Sequence, residues 1–114
     1  MSAITVKSSI NPEFYIIKLE RKFDTVAAEN VEQLLNELIA NKKINIILDF
    51  KESNYLSSMG LRVLFSISRA LNEENKKLML INVGPTVMKV IRIADCETLF
   101  DIYADEAEAI RARG

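Results

Sequence analysis

The sequence predicts an α/β layer fold in one domain, residues 1–114, with the element order ββαβαβα(β)α. Short apolar runs of strand length alternate with longer stretches whose apolar residues recur at helical spacing. The run Ile46-Ile47-Leu48 stands between polar segments, the pattern of a central strand covered on both faces and parallel to a neighbour. No linker, repeat or low-complexity segment divides the 114 residues. A chain of this length buries roughly 65% of the surface that it exposes when unfolded, enough for one core without staples. Strands alternating with helices imply right-handed crossovers.

Each element has its own signal. Ile4 and Val6 partly alternate with polar residues between Ala3 and Lys7, and the stretch from Phe14 to Leu19 follows the turn-like Asn11-Pro12, giving two strands in close succession. Asp24 or Thr25 caps a helix with apolar positions Ala27, Val31, Leu34, Leu35, Leu38 and Ile39, which ends before Asn41. The central strand runs from Ile44 to Phe50. Ser57 or Ser58 opens the next helix, whose Leu61, Leu64, Phe65, Ile67 and Leu71 form a broad apolar side before Asn72-Glu73-Glu74-Asn75. Leu78 to Val83 is a further buried strand. Gly84-Pro85-Thr86 turns into a helix from Val87 to Ala94, with Pro85 supplying a preset first-turn dihedral. Leu99 to Tyr103 is a short apolar stretch, followed by a helix from Asp105 to Ala112 with acidic residues first and Arg111 and Arg113 last.

Composition narrows the chemistry. There are 15 Lys+Arg and 16 Asp+Glu, a net charge of −1, so no field draws nucleic acid or an anionic membrane. The chain has no histidine, which excludes Ser-His-Asp and Cys-His sites, His-ligated zinc and imidazole general bases. With 3 glycines it carries neither of the usual glycine-rich phosphate cradles. Cys96 stands alone, so no internal disulfide forms, and it is expected to be structural. No signal peptide and no membrane-spanning run is present, and a cytoplasmic location is expected.

One segment carries chemistry: Asn54-Tyr55-Leu56-Ser57-Ser58-Met59-Gly60-Leu61, between the central strand and the second long helix. The carboxyl end of a strand and the amino end of a helix together make the usual ligand position of open α/β sheets. A serine there presents a hydroxyl beside unpaired N–H groups that would receive a phosphate, and Gly60, lacking Cβ, admits another surface to the backbone. The plainer reading is that one serine is an ordinary N-cap and that Gly60 relieves crowding in the first turn.

The stretch Ile44-Asn45-Ile46-Ile47-Leu48-Asp49-Phe50, followed by Tyr55-Leu56-Ser57-Ser58-Met59-Gly60-Leu61-Arg62-Val63-Leu64, resembles the core of the STAS domain found in bacterial anti-sigma-factor antagonists. Phe23-Asp24, the run from Leu78 to Val83 and the stretch from Leu99 to Ala109 extend the likeness over nearly the whole chain. The resemblance implies a mixed sheet of four or five strands, the central ones parallel, with about four helices. It places the phosphoacceptor at Ser58, two residues before Gly60, with Ser57 as the alternative. Asp24 matches an aspartate that lies beside that loop. Two positions depart from the family: Ser57 stands where many antagonists carry an acidic residue, and Glu20-Arg21-Lys22-Phe23-Asp24 lacks the common glycine.

The expected function is then a non-enzymatic protein-binding domain without cofactor or metal. An anti-sigma-factor serine kinase, itself supplying Mg²⁺ and ATP, would bind it and phosphorylate Ser58, and a phosphatase would reverse this. The partner surface would comprise Asp24, Asn54, Tyr55, Ser57, Met59, Gly60 and Arg62. A small-ligand or nucleotide sensor using the same helix end, and a scaffold module in a signalling assembly, are the alternatives. Lys42-Lys43 and Lys76-Lys77 read as solvated turns, and Arg62 and Arg69 as either solvated positions or a surface for an acidic partner.

Overall fold

Strand β1 (Thr5–Ser8) pairs antiparallel with β2 (Tyr15–Lys18), and from β2 onward the sheet is parallel. β2 runs beside β4 (Ile46–Asp49), β4 beside β6 (Leu78–Ile81), and β6 beside β7 (Phe100–Tyr103), giving the order β1-β2-β4-β6-β7. A separate parallel pair of two-residue strands, β3 (Lys22–Phe23) and β5 (Tyr55–Leu56), joins Lys22 to Tyr55 and Phe23 to Leu56. The computed structural model describes residues 5–8, 14–19, 22–23, 25–41 and 45–113. Four helices complete it: α1 (Thr25–Ala40), α2 (Ser58–Asn72), α3 (Pro85–Ile93) and α4 (Glu106–Arg113). The α/β class, the mixed five-stranded sheet and its central parallel strands are as the sequence implies.

The central strands are apolar throughout because both of their faces are covered. Ile46, Leu48, Leu78 and Leu80 join Val31 and Leu35 of α1, Leu64 and Ile67 of α2, and Val87 and Ile91 of α3 in one core. Ile47, Met79 and Ile81 alternate to the other face, where they meet Phe14, Ile16 and Ala109 of α4. Leu34, Leu38 and Leu61 pack on the margin of the larger core, half-buried.

The buried side of α2 is rotated from the expected one. Gly60, Val63, Leu64, Ile67, Ser68 and Leu71 are buried, whereas Leu61 and Phe65 lie at its edge. Ser68 is accommodated because its hydroxyl donates to the Leu99 carbonyl at 3.0 Å, so a polar side chain can sit where periodicity would place an apolar one. Helix α4 starts one residue later than the apolar pattern indicates. Asp105 stands before it and accepts from the Glu108 N–H at 2.9 Å, while Glu108 reaches back to the Ala104 N–H at 3.1 Å.

Sharp turns fall on Asn75, Asn82 and Asp95, with φ of 61°, 56° and 56°. These residue types tolerate the left-handed region best after glycine. Cys96 is buried, and its thiol donates to the Ile91 carbonyl at 3.4 Å, as expected of a structural cysteine.

Candidate functional site

The serine loop starts from a fixed base. At the end of β4, Asp49 Oδ1 accepts from the Lys51 N–H and from Asn82 Nδ2, both at 2.9 Å. Asn82 in turn donates its backbone N–H to the Ala104 carbonyl at 3.2 Å, so the ends of β4, β6 and β7 are laced together. The Phe50 N–H donates to the Ile81 carbonyl and the Ser53 N–H to the Phe50 carbonyl, each at 3.0 Å. Ser53 is buried and its hydroxyl faces the Tyr55 carbonyl. The sequence reading did not pick out Asp49 and Asn82. Their signal was an aspartate closing one strand and an asparagine, tolerant of positive φ, closing the next.

From that base the chain emerges. Asn54 is exposed, and Tyr55, at 47% exposure, is one of the most exposed large apolar side chains among the described residues. Leu56 turns inward against the core. Because β5 pairs with β3, the approach to α2 lies beside the approach to α1. Val26, in the first turn of α1, is 66% exposed and breaks the helical spacing of its neighbours, a feature that sequence reasoning passed over.

The two serines have different tasks. Ser57 is the N-cap: with φ −77° and ψ 166° it is extended, its Oγ accepts from the Gly60 N–H at 2.9 Å, and its carbonyl accepts from the Leu61 N–H at 2.9 Å. Ser58 is the first helical residue and is exposed. Its hydroxyl is in no hydrogen bond among the described residues. The choice left open by the sequence is thereby decided: Ser57 caps and Ser58 does not. An acidic residue caps as well as serine does, so the departure at Ser57 keeps the local geometry.

Met59 is half-buried and packs on the core, and Arg62 is exposed one turn beyond Ser58 on the same helix. Gly60, also expected on the partner surface, is buried, and its N–H is taken by the cap. Asp24 lies outside the described residues. Asn54, Tyr55, Ser58 and Arg62 are therefore the predicted site residues that are exposed, and Ser57 and Met59 are half-buried.

Chemically the surface offers a hydroxyl to a phosphoryl donor. A phosphate on Ser58 would face the N–H groups of the first turn of α2, where a negative charge is favoured by the helix dipole. Among the described residues no three His, Cys, Asp or Glu side chains gather as metal ligands, and no helix is long and apolar enough to cross a membrane.

Comparison with known proteins agrees with this architecture. The family model described as STAS domain matches residues 5–109. A STAS-domain containing protein of Pseudomonas aeruginosa is 28% identical over 88% of this chain and 98% of its own. An anti-sigma-B factor antagonist of Staphylococcus aureus is 19% identical over 87% of this chain and 92% of its own. Among solved structures, the anti-sigma factor antagonist SpoIIAA in its unphosphorylated form superposes with a TM-score of 0.78 at 25% identity, covering 98% of this chain and 99% of that one. The phosphorylated form of SpoIIAA, a Bacillus cell fate determinant, gives the same TM-score of 0.78 at 23% identity, over 98% and 100% of the two chains.

Proposed function

This chain belongs to the STAS domain family, and from that premise we propose that it is an anti-sigma-factor antagonist, a non-enzymatic cytoplasmic regulator whose binding is switched by phosphorylation of Ser58. Unphosphorylated, it binds an anti-sigma factor that is also a serine kinase, and a sigma factor is released. The kinase transfers the γ-phosphoryl group of ATP to Ser58 Oγ, the hydroxyl proton leaves to the kinase's base, and ADP departs. A phosphatase restores the hydroxyl.

The observation that carries this reading is the division of labour between the serines: Ser57 is spent on the cap, and Ser58 presents its hydroxyl to solvent on a fixed first turn. The equal likeness to phosphorylated and unphosphorylated SpoIIAA supports a switch that works at the surface without refolding the domain. The sensor and scaffold readings have no observation of their own at this helix end.

The test is incubation with the candidate serine kinase and ATP, followed by mass mapping. Phosphate is expected on Ser58, and phosphate confined to Ser57 would refute the assignment. Ser58→Asp should weaken kinase binding while the fold is kept, because a carboxylate at a helix start is favourable by about 0.3–1 kcal/mol within the domain and costs affinity at the interface. Ser58→Ala should bind and never release. Equal affinity of wild type, Ser58→Asp and phosphorylated protein for the kinase would refute the switch.

A further inference from the structure

We propose that the furrow between α2 and the turn at residues 97–99 is a docking site for a short acidic peptide segment of a partner protein, one carrying an apolar anchor. A cleft of about 250 Å³ lies there, walled by Phe65 and Leu99 and rimmed by Arg69 and Lys77. It shares Phe65 and Arg69 with a second cleft of about 610 Å³ that extends to Arg62. At its far end it shares Asn72 and Lys77 with a third of about 450 Å³, which Asp101 closes. Through these shared residues the three adjoin in one row along the helix. From Arg62 to Asn72 it is roughly 15 Å long at 1.5 Å per residue, the reach of four or five residues of extended chain.

Its chemistry selects the occupant. Helix α2 contains two arginines and no acidic residue, and the furrow adds Lys77, whose ammonium donates to the Thr98 carbonyl at 3.1 Å. Leu99 is 42% exposed, an apolar surface left open between those cations. The two walls are joined, since the Ser68 hydroxyl donates to the Leu99 carbonyl. A carboxylate beside a leucine or phenylalanine satisfies cation and wall together. The furrow begins one turn beyond Ser58 and needs no phosphate, so this inference stands apart from the switch.

The experiment is fluorescence anisotropy with a labelled peptide Gly-Asp-Glu-Leu-Asp-Phe-Glu-Asp-Gly, on wild type, Ser58→Ala, Arg69→Glu, Leu99→Gln and, as an equal charge change on α4, Arg111→Glu. Saturable binding below about 1 mM is expected for wild type, Ser58→Ala and Arg111→Glu. Arg69→Glu should weaken it roughly tenfold or more, Leu99→Gln should weaken it measurably, and serine in place of the peptide's Leu and Phe should do the same. Thermal melts confirm that each variant is folded. No saturation by about 1 mM, equal binding by Arg69→Glu and wild type, equal loss in Arg111→Glu, or tighter binding of an oligothymidylate of the same charge would each overturn the proposal.

Discussion

Replacing Ser57 and Ser58 by alanine one at a time separates two side chains that the sequence left equivalent. Ser57→Ala removes the acceptor of the Gly60 N–H. Loss of a serine N-cap costs about 0.5–2 kcal/mol, and the upper half of that range is expected here. Gly60 is buried, so its N–H has limited access to water when the serine oxygen is gone. Taking about 2 kcal/mol per molar urea as the slope for a domain of this size, the midpoint should fall by roughly 0.5–1 M. Ser58→Ala removes an exposed hydroxyl with no partner among the described residues, and its stability should stay within about 0.5 kcal/mol of wild type. Ser57→Asp should restore nearly full stability, since aspartate caps as well as serine. Urea titrations followed by circular dichroism read all three variants. Equal losses for the two alanine variants, or a larger one at Ser58, would refute the assignment of cap and acceptor on which the functional reading rests.

Three further outcomes follow from the packing. Leu64→Ala, at a fully buried position between α1 and the sheet, should cost roughly 2–5 kcal/mol in the same titration, and a loss below about 0.5 kcal/mol would mean that α2 faces otherwise. Asn82→Gly keeps the left-handed backbone but loses the bond to Asp49, so it should cost less than Asn82→Ala, which loses the bond and adds about 1–2 kcal/mol of steric strain. Cys96 should react with a thiol reagent only as fast as the domain opens, and rapid labelling of native protein would contradict its burial.

Much of the fold was legible in the sequence because its elements are long enough to show a period. Ala27, Val31 and Leu35 mark α1, and the apolar runs of β4 and β6 mark strands covered on both sides. The pair β3 and β5 left no trace, since two residues cannot display alternation and their ladder joins segments more than thirty residues apart. At the site, a serine at the helix start was legible from the residues, and only the resemblance placed the phosphoacceptor at Ser58. Its distinction from Ser57 was not legible, because either residue type caps equally well and only backbone geometry decides. The burial of Gly60 was not legible for a related reason: a missing Cβ permits close approach, and the sequence does not say from which side. The furrow could not be read either, because Leu99 meets α2 only through tertiary packing.

The small ladder of β3 and β5 bears on how readily the approach to α2 opens. Regions with few backbone bonds open by themselves at a fraction of the free energy that unfolds the whole domain. Two-residue strands are such a region, while β4 and β6, paired on both edges and buried on both faces, are at the opposite extreme. The amides of Lys22, Phe23, Tyr55 and Leu56 should therefore exchange with deuterium together and early, and those of Ile47 and Leu80 only with global opening. The approach to α2 can therefore open by a local fluctuation, while the five-stranded sheet behind it keeps its pairing.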